Sequence, residues 1–422
     1  MRRRALVPLV LAAVLALAGC TGEPRAEPSV PTAPPPADPG WSEIGLPPPP
    51  GPAGRVALRD ATVCDGRWYV VGGVFPDDAP GGAAEPYPAA WTSADGRTFE
   101  PVEIHATGFW ALLATLTSVA CGGPGTAAQP ETVVAVGSRS GGAHGNPRVS
   151  TFHGPPTGPW VDVPAPITLY GGSEGMVVYG VAPGPEGWLI PGGRTSGGAA
   201  WTSPDGTEFT LVDDDPELTS SGDLDTLAVH AVHDGEGWTV VGSAGREGRV
   251  PRVPLAWVSV DGRTWQRQSV PEPEGFGSLD RVVRYGDGVL AAGVRDEGFG
   301  VWSRAQDGEW ADVGAFGALS DRYGGSPYVA DLDVVADGVL AVASDRETNG
   351  VWWADAGPGG ATPKNAWPRD AWREVRLPVP VEAGADHTVS AASDGDEVLL
   401  LTDDETAGRL WAATRWPPSD RS

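Results

Sequence analysis

A ten-residue pattern written three times limits this chain more than any other feature. Ala256-Trp257-Val258-Ser259-Val260-Asp261-Gly262-Arg263-Thr264-Trp265 recurs as Ala90-Trp91-Thr92-Ser93-Ala94-Asp95-Gly96-Arg97-Thr98-Phe99. It recurs again as Ala200-Trp201-Thr202-Ser203-Pro204-Asp205-Gly206-Thr207-Glu208-Phe209. Each copy reads as strand, tight turn, strand. Apolar residues alternate into the strands, and Asp-Gly supplies a turn in which glycine takes positive φ at no steric cost. The Ser and Asp side chains are suited to cap the turn's own amides. A copied supersecondary unit means an architecture built by repetition.

The copies belong to a longer four-strand unit. Its clearest marker is a second, strongly apolar strand, often ending in Gly. The first four markers are Trp68–Gly72, Val133–Gly137, Trp188–Gly192 and Trp238–Gly242; the last three are Val289–Gly293, Val339–Ala343 and Val398–Thr402. Runs of this kind suit central strands buried on both faces. Seven markers predict seven units. The last unit runs through Arg409-Leu410-Trp411-Ala412-Ala413-Thr414 and stops one strand short. The missing strand is found at the other end of the chain. Trp41-Ser42-Glu43-Ile44-Gly45-Leu46-Pro47 reads like Trp372-Arg373-Glu374-Val375-Arg376-Leu377-Pro378, the fourth strand of unit six. A strand lent from the N-terminus closes the array and removes its open edges. The expected fold is all-β: a seven-bladed β-propeller over residues 41–414, closed by an N-terminal strand, with six or eight blades as alternative counts.

Residues 1–20 read as a targeting segment. Arg2, Arg3 and Arg4 precede an apolar run, Ala5 to Gly19, that is shorter than the ~20 residues a membrane span needs. The run ends in Leu17-Ala18-Gly19-Cys20, which resembles the lipobox of bacterial lipoproteins. The resemblance implies cleavage before Cys20 and a lipid on its sulfur, hence a protein anchored on the extracytoplasmic face of the cell membrane. Residues 21–40 carry seven prolines and read as an extended tether, reaching roughly 60 Å at about 3.1 Å per residue. Residues 415–422 read as a polar tail.

With Cys20 lipidated, Cys64 and Cys121 remain as an even pair in an oxidising compartment. They occupy matching points of consecutive units, Thr62-Val63-Cys64-Asp65-Gly66 and Val119-Ala120-Cys121-Gly122-Gly123. A disulfide between neighbouring blades is expected. Asp and Glu number 55 against 29 Lys and Arg, a net charge of −26, which repels nucleic acid. The His and Cys residues have no metal-ligand spacing, so neither metal nor cofactor is expected.

Ser-x-Asp-Gly-x-Thr-Trp/Phe resembles the Asp-box repeat of bacterial neuraminidases, in a form shortened by one residue between Asp and Gly. The resemblance implies a propeller whose boxes lie on outer turns, away from the face that takes ligands. A sialidase also needs an arginine cluster for the substrate carboxylate, a tyrosine nucleophile with a glutamate partner, and an aspartate acid/base. The Arg-Ile-Pro triplet expected ahead of the first box is replaced by Gly54-Arg55-Val56-Ala57-Leu58-Arg59-Asp60, and no catalytic residue is assigned.

Candidate ligand residues lie where the loops of the expected ligand face fall. Arg139, Arg194 and Arg295 each follow a second-strand Gly by two residues, and Arg246 and Arg346 lie near the equivalent place. Together they form either a basic ring for an anionic group or a set of ion pairs between repeats. Trp110, within Gly108-Phe109-Trp110, and Tyr323 fall between units, placed either to stack on a ligand or to pack between blades. The acidic stretches Asp213–Asp215, Asp223–Asp225 and Asp403–Glu405 read as solvated loops rather than Ca²⁺ sites. The expected role is a membrane-anchored binding or assembly platform whose ligand is an envelope protein or glycan; the alternative is a divergent, sialidase-like glycoside hydrolase.

Overall fold

The computed structural model describes residues 35–417, apart from 78–84, 123–130, 141–146, 306–307, 323–324, 337, 356–366 and 368–370. Cys20, the tether as far as residue 34, Tyr323 and the tail from residue 418 lie outside the described residues. The folded unit, from Pro36 onward, is a seven-bladed β-propeller. Seven sheets follow one another along the chain, and each second strand coincides with one of the seven apolar markers. The innermost strands touch in order around the ring, and that of blade 7, His387–Asp394, meets that of blade 1, Gly54–Cys64.

Seven hydrophobic clusters fill the seven seams between blades. The second strands make this possible, because successive side chains point to opposite faces. In blade 1, Val70 enters the seam with blade 7 and Val71 the seam with blade 2. Apolar residues at every position therefore serve two cores rather than one.

The glycine that ends an apolar marker lies inside the second strand, and it serves close approach, not an unusual φ. A Cβ on Gly72 or Gly242 would strike the carbonyl of Ala57 or Leu227 on the innermost strand, and one on Gly293 that of Ser278, just ahead of it. The third-strand tryptophans do more than pack. Trp91, Trp201 and Trp257 are fully buried, and each indole N–H donates at 2.8 Å to a carbonyl of the loop entering its own blade, on Pro47, Leu169 and Glu217. Trp302 does the same to Pro271 at 3.1 Å.

The Asp-Gly turns have the geometry read from their residues. The Asp95 carboxylate accepts the Arg97 and Thr98 amides at 2.9 and 2.7 Å, and Asp261 accepts those of Arg263 and Thr264 at 2.8 Å. These amides hold the Asp95 carboxyl at about 2. Gly96, Gly206 and Gly262 take φ of 62°, 79° and 69°. Each glycine lies against a second-strand tryptophan: Trp68, Trp188 or Trp238. At Gly206 a Cβ would also stand 2.6 Å from Val134 Cγ2 in the preceding blade. Gly206→Ala is therefore expected to cost about 1–2 kcal/mol from the left-handed backbone alone, with the clash added. Gly222→Ala, at φ 61° with nothing within 4 Å, should show the backbone cost alone. Equal losses in denaturation midpoint would remove the packing argument.

Trp41–Ile44 pairs antiparallel with Gly408–Ala413 in blade 7, in the register Trp41↔Ala413 to Ile44↔Leu410. Pairing also extends ahead of Trp41. Ala37, 3% exposed, bridges Val375, donates to the Glu374 carbonyl and accepts from the Arg376 amide, both at 2.8 Å. The tether boundary drawn at residue 40 is thus too late. Proline content marks extended chain, but extended chain also suits a strand edge.

Cys64 and Cys121 are joined by a disulfide that ties the innermost strands of blades 1 and 2. The acidic stretches are corrected in part. Asp403 is wholly buried rather than solvated, with the Arg55 and Arg59 guanidiniums at 3.3 and 2.6 Å. Asp213 pairs with Arg194, and Asp215 accepts the Glu217 and Leu218 amides.

Candidate functional site

Strand order places the loops between second and third strands, and those from each fourth strand to the next blade, on one face. Blade 2 carries a cavity of about 310 Å³ there. Its walls are the loop entering blade 2, from Thr107 to Ala111, and the loop leaving it, from Pro164 to Gly171. Its third-strand wall is Arg148, Val149 and Ser150.

Asp162, on the fourth strand of blade 2, fixes the entering loop. Its carboxylate accepts from the Thr107 amide at 2.7 Å, the Thr107 hydroxyl at 3.0 Å and the Gly108 amide at 3.0 Å. Phe109 and Trp110 are thereby presented edge to face, with ring centroids 4.9 Å apart, and Phe109 remains 66% exposed. The Arg148 guanidinium lies 5.7 Å from the Trp110 ring centroid. Its Nε is buried and, among the described residues, without a hydrogen-bond partner. The exiting loop contributes Ile167, 55% exposed, and Tyr170, whose buried phenol meets the Thr151 hydroxyl at 3.4 Å. Burial pushes that phenol's pKa above the ordinary tyrosine range.

Trp110 is thus a cavity residue, while the arginines named from spacing are engaged elsewhere. Arg139 pairs with Glu85 of blade 1. Arg194, 5% exposed, is held by Asp213 at 2.8 Å and Glu174 at 3.0 Å. Arg295 pairs with Asp312 at 2.7 Å, and Arg246 with Glu272. Arg346, at φ 91°, is not free either. Spacing from the second-strand Gly had found arginines that brace blades. It missed Arg148 because that residue follows a variable loop, out of register with the repeat.

A second cluster lines the axis of the ring. The innermost strands of blades 1, 2, 4 and 6 bulge at one shared point. The residue after each bulge is Asp60, Ser118, His230 or Asp331, and its side chain accepts an amide of the next blade. Asp60 takes that of Val119 at 2.8 Å, Ser118 that of Val181 at 3.3 Å, His230 that of Val282 at 3.3 Å, and Asp331 that of Ala391 at 3.0 Å. Arg281 stands at the matching point of blade 5, and its charge acts on Asp60, Asp331 and His230. The sequence carried a signal for this layer: charged residues inside otherwise apolar strands, as in Asp331-Leu332-Asp333.

Burial, then the Asp331 charge, raises the carboxyls of Asp60 and Asp333 to about 7. Burial also raises Asp280 and Asp331. Burial, then the Arg281 charge, lowers His230 to about 3. The two effects have opposite signs. The raised carboxyls hold protons that the unfolded chain releases, so their contribution is complete below about pH 4 and lost as pH rises through 7. His230 contributes fully above its ordinary value of 6.5 and loses that contribution as pH falls toward 3. Two carboxyls outweigh one imidazole between pH 8 and 5. Stability is expected to rise on acidification over that range, by on the order of 1–3 kcal/mol. The double variant Asp60→Asn, Asp333→Asn should flatten the rise. Denaturation midpoints at pH 8 and 5.5 measure it, and a flat profile in the parent protein would contradict the assignment.

Neither a protein-family model nor a curated protein sequence matches this chain. Among solved structures, the β-propeller domain of the Trilobed protease from Pyrococcus furiosus is similar at 10% identity and a TM-score of 0.46, covering 85% of this chain and 96% of that one. A structure from work on two prolyl endopeptidases is similar at 11% identity and a TM-score of 0.43, covering 85% of this chain and 50% of the other. One from work on the GH130 family of mannoside phosphorylases, concerning β-1,2 mannosidic linkages in Candida mannan, is similar at 16% identity and a TM-score of 0.35, over 62% of this chain and 87% of that one.

Proposed function

We propose that the chain is a lipid-anchored, extracytoplasmic binding or assembly module, whose ligand is an envelope protein or glycan received at the blade 2 cavity. The observation that carries this reading is the cavity itself. It pairs the exposed Phe109 ring and the half-buried Trp110 ring with a guanidinium whose Nε is buried and, among the described residues, unpartnered, on the face formed by the long loops. Sites of this composition bind through a few apolar anchors and a convergent charge. The Leu17-Ala18-Gly19-Cys20 motif supports the anchor, and the Ser-x-Asp-Gly turns support kinship with Asp-box propellers.

A photo-crosslinking residue at Phe109 tests the reading in intact cells. Val260, 80% exposed on the Asp-Gly turn of the opposite face, is the control position. A product formed from position 109 and not from 260 is expected. The same products from both positions, or none, would overturn it.

The axial layer favours a second reading, a divergent glycoside hydrolase. Asp60 and Asp333, at about 7, have the protonation a general acid needs at neutral pH. Turnover of fluorogenic glycosides that disappears in Asp60→Asn or Asp333→Asn would establish it; no turnover across the panel would dismiss it.

A further inference from the structure

We propose that the blade 2 cavity captures the C-terminal carboxylate of a polypeptide that ends in an apolar residue. The inference rests on the binding reading above and specifies what that cavity takes.

Charge points to an anion. Arg148 lines the cavity and makes no hydrogen bond or ion pair among the described residues, unlike Arg139, Arg194 and Arg295 on the same face. It lies directly across the strand pair from Arg139, which Glu85 already neutralises. Asp162 lines the same cavity, but its oxygens hold the Thr107 and Gly108 amides. A chain with net charge −26 has abundant carboxylates, yet among the described residues none forms an ion pair with Arg148. A guanidinium beside an indole is weakly hydrated, and its planar fork matches a carboxylate with two parallel bonds.

The walls point to an apolar group beside that carboxylate. Phe109, Val163, Pro164, Ala165 and Ile167 form much of the surface. A saccharide brings several hydroxyls, each needing a partner once buried. Here the Thr107 hydroxyl is already used, and Ser150 is the remaining side-chain hydroxyl besides the buried Tyr170. At about 310 Å³ the cavity is at the small end of ligand sites, fitting one or two residues. The exposed rim at Phe109 and Ile167 leaves room for the preceding chain.

Calorimetric titration of the full-length protein in detergent tests the assignment, using acetyl-Ala-Ala-Leu as the free acid, the same peptide as its C-terminal amide, and glucuronic acid. The free acid is expected to bind at least tenfold more tightly than the amide, with affinity falling as salt rises. Arg148→Gln should lose at least tenfold and Arg148→Lys retain part, both with an unchanged melting temperature. Should Arg148→Gln fail to fold, the acid–amide comparison still decides, since it needs no variant. Equal binding of acid and amide, tighter binding of glucuronic acid, no binding at 10 mM peptide, or full affinity in a folded Arg148→Gln would each overturn the inference. A crosslinked partner at Phe109 with no preference for the acid would sink this inference and leave the binding reading standing. Failure of both would remove the binding reading as well.

Discussion

A chain that begins at residue 35 is expected to unfold at the same denaturant concentration as one that begins at residue 21, whereas a chain that begins at residue 47 is expected to lose cooperative unfolding altogether. The reason lies in what Trp41–Ile44 covers. Its side chains alternate between two seams: Trp41 packs on the cluster between blades 6 and 7, and Ile44 on the cluster between blades 7 and 1. Without the strand, both cores open to water, and the Leu410–Ala413 edge loses its ladder. The Trp41 indole also donates to the Arg376 carbonyl at 2.7 Å. Losing one large aromatic from a core costs about 3–5 kcal/mol, and total stability is commonly about 5–15 kcal/mol. Adding a peptide of residues 35–47 in trans should restore a cooperative transition. Tolerance of the 47-start chain would mean that the ring does not depend on closure.

Asp403→Ala should be the most damaging single substitution at the same seam. Its carboxylate has no exposure and lies between blade 7 and blade 1. It accepts from Arg55 at 3.3 Å, Arg59 at 2.6 Å, the Leu58 amide at 3.2 Å and the Glu405 amide at 3.0 Å. Removing one partner of a buried ion pair leaves the other charges desolvated and unanswered, at a cost of about 3–5 kcal/mol. Asp404 is the internal control. It caps its own turn in solvent, where the Thr406 hydroxyl and then the Ala407 amide hold its carboxyl at about 2. Asp404→Ala should therefore move the denaturation midpoint far less. Equal effects at the two positions would show that loss of negative charge, rather than loss of the latch, is being measured.

The two adjacent aspartates show where sequence reading ended. In Asp403-Asp404-Glu405 nothing local separates a buried latch from a turn cap, because the difference is made by Arg55 and Arg59, some 345 residues earlier. The same holds for the arginines. Arg139 and Arg148 are cross-strand neighbours, yet Glu85 of another blade answers one and not the other. Trp110 was legible as an inter-blade aromatic. Its pairing with Arg148 was not, since the two meet only when the loop before one strand folds over the end of another.

The sequence by itself determined the repeat, the blade count, the Asp-Gly turns and the closing strand. Each is written in local alternation, in a glycine at a fixed place, or in a copied motif, and needs no distant partner to be recognised. Only the tertiary structure decided which charges are spent in seams and which stays open, that a bulged layer of Asp60, Ser118, His230 and Asp331 stitches successive blades, and that a cavity forms over blade 2. Those features depend on the ring being closed, because closure brings residues hundreds of positions apart within hydrogen-bonding distance and removes the water that would otherwise screen them.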